Sequence, residues 1–351
     1  MHRRFARRRV ASGEAGKDDK MIQESWPKTF PWSKDQVRRY TDTYSQKIIV
    51  KGSYFSRMWV AVLSFLINLL SWKWTDRFGA FIGWLMYRFG LRRSVAMINL
   101  DIAFRDTKSK KEKEEIYRKS LISFGRQILT YFRFPKMDEK FWAENYGLDN
   151  EHFLREALNK GKGAIILGMH FSNWELGLGK LGFSGYPSAI VGRPMGNPVF
   201  HKFLIDSRAA INISTIPNKN SMNRIFEGLK RGETVAMAID QNMTGNHGVF
   251  VEWLGWVACT VASVSWIIRE SGSPAIGAYS LRVGPGKFKL VLTEEVKWEP
   301  YPENPEKELV VNTQNQVRAL EKVILQQPEL WLWIHKRWKT QPPGMPNPYK
   351  Q

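Results

Sequence analysis

Residues Gly161–Gly177 run Gly-Lys-Gly-Ala-Ile-Ile-Leu-Gly-Met-His-Phe-Ser-Asn-Trp-Glu-Leu-Gly, with the histidine at 170 and the glutamate at 175. The apolar run Ala164–Met169 is short and starts straight after a glycine, which predicts a buried strand. His170 then stands where that strand ends. Ser172 and Asn173 carry side-chain oxygens suited to a helix N-cap, so a helix should begin just behind them. Ligands of doubly wound sheets bind beyond the carboxyl ends of strands, and this is where His170 falls. Further short apolar runs, Ala189–Val191, Val235–Ile239, Ala275–Leu281 and Lys287–Leu292, alternate with segments of helical period. The alternation predicts an α/β fold, a central mostly parallel or mixed sheet flanked by helices.

His170 and Glu175 are five residues apart, about 500° along a continuous helix and so about 140° off a shared face. They meet only if His170 precedes the helix and Glu175, in its first turn, folds back onto it. A carboxylate there is favoured by the helix dipole and can hold an imidazole in one tautomer. The imidazole can then take a proton from an alcohol. Taken as two residues alone, a polar turn with a satisfied histidine is the better reading.

The rest of the chain supplies more. Gly192-Arg193-Pro194-Met195-Gly196-Asn197-Pro198 joins a cation to rigid turns after a short strand, and a second strand ends in Asp240-Gln241-Asn242. Phe250–Thr260 leads into a helical run, and Ser271–Ala275 marks the turn behind it. Upstream, Leu91–Phe134 is helical in pattern. Lys110–Lys119 is a solvated face, Ile116, Leu121, Ile122, Phe124 and Ile128 recur near helical spacing, and Pro135 ends the run.

Met58–Trp72 is the most apolar stretch, but its 15 residues fall short of the ~20 that a membrane-crossing helix needs. A second apolar stretch covers Phe78–Phe89, and both have basic flanks. A pair of helices lying in, or dipping into, one leaflet fits this pattern, with two ordinary core helices as the alternative. The first 57 residues hold 14 Lys/Arg against 6 Asp/Glu, and Arg3, Arg4, Arg7, Arg8 and Arg9 open them. No short apolar core with a cleavage site follows closely, so they predict a solvated flexible tail and not a cleaved signal. Over 351 residues the net charge is +20, which favours an anionic partner. The single cysteine, Cys259, excludes a disulfide framework and a cysteine-rich zinc site. A hydrophobic content of 43% and a mean hydropathy of −0.37 exclude a polytopic membrane protein and a disordered chain.

The order of these segments resembles the lysophospholipid acyltransferase superfamily, in its lipid A biosynthesis (lauroyl/myristoyl) acyltransferase and phosphatidylinositol mannoside acyltransferase branch. The His-x4-Glu box matches at His170 and Glu175, in a His-x-x-Asn-Trp-Glu form that includes Asn173. Arg193, Pro194, Asn197 and Pro198 match the Arg-Pro…Asn-Pro segment. Asp240 and Gln241 match the Asp-Gln segment, and Gly255 and Thr260 the Phe-Phe-Gly…Thr segment, with Trp253-Leu254 in place of the paired aromatics. Asn99-Leu100…Ala103-Phe104 and the Trp-rich end Pro328…Trp331-x-Trp333-x-His335-x-Arg337-Trp338-Lys339 also resemble it. The resemblance covers Leu91 to Lys339.

It implies a membrane-associated lipid O-acyltransferase of lipopolysaccharide biosynthesis. A fatty acyl group would pass from a thioester of acyl carrier protein or coenzyme A to a hydroxyl of a membrane glycolipid, with neither cofactor nor metal. His170 would be the general base and Glu175 its orienting partner. Asn173, Arg193, Asn197, Asp240, Gln241 and Thr260 would bind substrate. Backbone N–H groups of the turn after His170, or Arg193, would steady the oxyanion. The implied place is the inner (cytoplasmic) membrane, with the catalytic domain facing the cytoplasm and the basic surface meeting anionic lipid or acyl carrier. Together with the residue patterns upstream, the expected division is a basic flexible tail (1–57), apolar membrane-associated helices (58–90), the α/β acyltransferase domain (91–340) and a tail (341–351).

Two rivals belong to other classes. A basic nucleic-acid-binding protein suits the charge, but the chain contains no groove-reading or RNA module and its cations are dispersed; no nucleic-acid partner is expected. An inactive membrane scaffold is opposed by the intact His170 and Glu175. Gly177-Leu-Gly179-Lys-Leu-Gly182 spells a dinucleotide fingerprint but starts too far past the strand to form its tight turn, so close helix packing is expected instead. His201, His247 and His335 lack metal-ligand spacing.

Overall fold

The computed structural model describes residues 31–44, 54–244 and 247–350. Among them, strands β1 (Tyr146–Asp149), β2 (Ala164–Gly168), β3 (Ser188–Gly192), β4 (Ile213–Pro217), β5 (Thr234–Ala238), β8 (Ala275–Gly284) and β9 (Lys287–Glu295) build one sheet in the order β1-β9-β8-β2-β5-β3-β4. Every neighbouring pair is parallel except β8 with β9. The sheet is therefore mixed and mostly parallel, as the alternation predicted. The central strands β2 and β5 are buried over four of their five residues, which explains why they read as continuous apolar runs without a period of two. Strands β6 (Gly248–Trp253) and β7 (Trp256–Val261) form a separate antiparallel hairpin. The four residues of β1 are too few to stand out in the sequence.

Helices α1 (Lys34–Tyr44), α2 (Tyr54–Leu69), α3 (Trp72–Arg88), α4 (Arg93–Phe104) and α5 (Lys110–Tyr131) precede the sheet. Then come α6 (Glu139–Asn145) and α7 (Glu151–Asn159), α8 (Trp174–Phe183) after β2, α9 (Pro198–Ala210) after β3 and α10 (Met222–Lys230) after β4. Helix α11 (Ser263–Ser271) follows the hairpin, and α12 (Pro305–Gln326) follows β9. Two apolar clusters fill the body, one holding Ile165, Leu167 and Val235 and the other Ile166, Ala236 and Ile276. Alternate residues of the same strands thus serve opposite faces.

Part of the expected tail is docked. Trp32, Val37 and Tyr40 are buried, Trp32 N–H donates to Gly185 C=O at 2.7 Å, and the Tyr40 hydroxyl accepts from Arg224 at 2.8 Å. The early arginines, Arg3 to Arg9, lie outside the described residues. The glycines of the false fingerprint do serve close packing: a Cβ at Gly177 would stand 2.9 Å from Leu290, and one at Gly182 would stand 2.8 Å from Asn212 backbone.

The apolar stretches 58–72 and 78–89 form α2 and α3. Helix α3 is clamped to α5 through glycines, since a Cβ on Gly83 would stand 2.2 Å from Leu121 C=O and one on Gly125 would stand 2.3 Å from Gly79 C=O. Asp76 on α3 pairs with Arg126 of α5 at 3.3 Å and with Arg282 of β8. Helix α2 is tied down by Asn68, which donates to Phe132 C=O at 2.8 Å. Outward, the two helices expose Phe55, Trp59, Phe65, Leu69, Trp74, Phe78, Phe81 and Trp84. No helix among the described residues is long and apolar enough to cross a membrane.

Candidate active site

Strands β2, β5 and β3 lie side by side and parallel, so the loops after Gly168, Ala238 and Gly192 open on one edge. Those loops carry His170, Asp240 and Arg193. His170 and Asp240 meet: imidazole Nδ1 lies 2.8 Å from Asp240 Oδ1, and His170 backbone N–H donates to Oδ2 at 2.7 Å. The carboxylate thereby fixes both the main chain and the ring of the same residue. With Nδ1–H given to Asp240, Nε2 is the accepting nitrogen and faces outward, 3.1 Å from Gln241 Nε2. The Trp174 ring meets the imidazole edge-on at 4.9 Å.

Burial pushes the imidazole pKa down, but the Asp240 charge and hydrogen bond outweigh it and leave His170 above its ordinary value. For Asp240, burial opposes ionisation. The His170 charge, both His170 N–H groups and the Trp331 indole overcome it and hold the carboxyl at about 2. The pair is thus an ionised acid beside a base of raised basicity, the pattern of a general base with its orienter.

Glu175 does not orient His170. It lies in the first turn of α8, as the spacing required, but its carboxylate points inward and is gripped bidentately by Arg208 Nε (2.9 Å) and Nη2 (2.7 Å). Both side chains are buried. A buried carboxylate takes the partner that neutralises it best, and a guanidinium fork supplies two charge-assisted bonds where a neutral imidazole offers one. Arg208 projects beneath Gly192, where an added Cβ would meet its Nη1 at 3.2 Å, so the pair links α8 to the base of the Arg193 loop.

The expected cap of α8 is also different. Ser172 adopts φ 48° and Asn173 φ −92°, ψ 64°, so neither side chain caps the first turn. Asn173 is buried three residues beyond His170. The backbone N–H groups of residues 170–172 are already committed, to Asp240, Met169 C=O (2.8 Å) and Leu330 C=O (2.9 Å). These three are therefore not free to serve an oxyanion. Asn197 is the N-cap of α9, accepting from Val199 N–H at 2.9 Å, with Pro198 in the first turn. Thr260 lies fully buried in the hairpin, its hydroxyl taken by Arg337, so it presents nothing to a substrate. Arg193 and Gln241 are exposed at the catalytic edge.

Sequence reasoning missed the partner of Glu175, because Arg208 is 33 residues away with no spacing to mark it. It also left without a role the residues that reach the site from the C-terminus, Trp331 and His335. The Trp331 indole donates to Asp240 Oδ2 at 2.8 Å, and His335 Nε2 accepts from Asn242 N–H at 3.0 Å. Burial pushes His335 down to about 4, which keeps it a neutral acceptor. Their density of tryptophan in an otherwise polar tail was the one available signal.

The family model described as bacterial lipid A biosynthesis acyltransferase matches residues 46–340. The chain belongs to this family. It is a lipid O-acyltransferase. The Escherichia coli (strain K12) lipid A biosynthesis lauroyltransferase is 27% identical over 304 residues, 84% of this chain and 95% of that enzyme. The E. coli lipid A biosynthesis palmitoleoyltransferase is 28% identical over 259 residues, 72% of this chain and 80% of its own. The phosphatidylinositol mannoside acyltransferase of Mycolicibacterium smegmatis is 23% identical over 164 residues, 46% of this chain and 54% of that enzyme. In this acyltransferase the matched region spans the whole sheet, its dyad and α2 and α3 together.

Proposed function

We propose that the protein transfers a fatty acyl chain from a carrier thioester to a hydroxyl of a lipid A-like glycolipid at the inner-membrane surface, with His170 as general base. The observation that carries this is the imidazole at the sheet edge, its Nδ1 held by an ionised Asp240 and its Nε2 turned outward. Nε2 takes the acceptor hydroxyl proton as the oxygen attacks the thioester carbonyl. The tetrahedral intermediate collapses, the C–S bond breaks, and the thiolate takes the proton back from the imidazolium. The thioester is already activated, so no covalent enzyme intermediate is required, and the buried Cys259, whose thiol burial pushes up, is unsuited to form one. Gln241, which caps Nε2 in the free enzyme, is exposed and can yield that position to the hydroxyl. Arg193 is the cation placed to meet a phosphate of either substrate, or the oxyanion.

Membrane attachment is supported by α2 and α3, whose exposed aromatic face is much too large for a surface left in water. At 16 and 17 residues they span about 24–26 Å, less than the ~30 Å hydrocarbon core. They therefore lie along one leaflet and do not cross it. Helix α9, which begins at the catalytic edge, touches α2 through the Phe203–Phe132–Ile67 cluster. The dyad is thereby brought near the lipid surface from which the acceptor comes.

The test is acyl transfer from acyl carrier protein and acyl-CoA to a lipid A precursor. His170→Ala should abolish turnover, and Asp240→Asn should lower kcat by about 10³–10⁴, as loss of the orienting acid does elsewhere. Because His170 is raised in the folded protein, it is protonated and inactive as a base up to a higher pH than a free imidazole. The acid limb of kcat/KM should therefore fall above pH 6.5. Wild-type turnover in His170→Ala would remove this function.

A further inference from the structure

Residues 328–340 cross the catalytic edge and are fastened to both loops of the dyad. On one side Trp331 bridges Phe171, Ser172 N–H donates to Leu330 C=O at 2.9 Å, and Leu332 N–H donates to His170 C=O at 3.0 Å. On the other, His335 accepts from Asn242 N–H, and Asn242 and Thr340 exchange two hydrogen bonds, of 2.9 and 3.1 Å. Trp331 joins the two sides. Its indole N–H reaches Asp240 Oδ2 at 2.8 Å, the same oxygen that accepts His170 backbone N–H, while Oδ1 is left for the imidazole. The indole cannot swing: it is buried, stacked on Trp253 at 5.9 Å and edge-on to Trp333 at 4.7 Å.

We propose that Trp331 is a positioning residue of the transfer reaction, its indole N–H locking the Asp240 carboxylate in the orientation that aims His170 Nε2 at the acceptor. The proposal rests on His170 being the base. Without the indole donor, Oδ2 keeps one bond fewer and the carboxylate is freer to rotate. More of its negative charge also falls on the imidazole, which then holds its proton to higher pH.

Trp331→Phe keeps an aromatic ring against Trp253 and Trp333 while removing the donor together with part of the buried ring volume. Its kcat should fall about tenfold or more, the value of one hydrogen bond to a charged group, with KM for both substrates within about twofold. The acid limb of kcat/KM should move to higher pH. Trp331→His, which restores a ring N–H, should recover part of the loss. A wild-type kcat and pH profile in Trp331→Phe, beside an inactive His170→Ala, would overturn this inference alone, whereas an active His170→Ala would overturn the base itself. If the Trp331 variants do not fold, Trp174→Phe protein labelled with ¹⁵N-tryptophan decides. One indole resonance should titrate with the midpoint of the acid limb, and no titrating indole would refute the role.

Discussion

Glu175 occupies the position that its sequence spacing marks for chemistry, yet its carboxylate is spent on Arg208 inside the domain. Removing one member of a buried ion pair leaves the other charge uncompensated, at a cost of about 3–5 kcal/mol. Glu175→Ala should therefore lower the melting temperature sharply, and its loss of transfer should track loss of folded protein. Replacing Glu175 and Arg208 together by apolar residues of similar volume should restore much of the stability, measurable by thermal or denaturant unfolding. A Glu175→Ala protein as stable as wild type but inactive would return Glu175 to the chemistry. Asp240 behaves in the opposite way, since its carboxylate bonds go to the main chain and ring of His170 and to the Trp331 indole.

Helices α3 and α5 cross so closely that only glycine fits between them. In an isolated helix Gly83→Ala would gain about 1 kcal/mol from propensity. Here the new methyl would stand 2.2 Å from Leu121 C=O and 2.5 Å from Ile122 Cα, both backbone atoms that cannot rotate away. Overpacking of this kind costs about 1–3 kcal/mol or more, so the clash decides the sign. Gly83→Ala should lower the melting temperature by several degrees, while Gly196→Ala, with nothing within 4 Å of its added Cβ, should leave it unchanged. Equal effects at the two sites would show that this crossing is not tightly packed. The crossing, with Asp76 bound to Arg126 and Arg282, fixes the aromatic face to the catalytic body as one unit.

Across the whole molecule, apolar exposure is concentrated on α2 and α3, while the net charge of +20 is spread over the chain. On the proposed attachment, shallow aromatic insertion would combine with attraction to acidic lipid, and salt would weaken only the second. Phe65→Asp combined with Phe81→Asp removes two exposed aromatic rings, each contributing about 1.5–3 kcal/mol when fully buried in apolar surroundings. Partition into acidic vesicles, followed by cosedimentation, should fall more than tenfold at both low and high salt. Unchanged cosedimentation would remove the leaflet reading of these helices.

How much of this could be read in advance follows from the range of each interaction. The strands β2, β3 and β5, the ends that carry His170, Arg193 and Asp240, and the two short apolar helices are local patterns, set by burial of contiguous residues and by turn chemistry. The sequence by itself therefore determined the fold class and the sheet edge that carries the candidate site. Which carboxylate serves His170 was decided only by tertiary structure. Asp240 lies 70 residues from His170 in the chain, and Arg208 lies 33 from Glu175. Parallel pairing of β2 with β5 brings the first pair together, and the buried Arg208 of α9 takes the Glu175 carboxylate of α8 for itself. A buried charge goes to the partner that best compensates it, and that choice depends on distances in space that spacing along the chain does not contain. Trp331 is a further case, meeting Asp240 across 91 residues because the C-terminal segment folds back over the sheet edge.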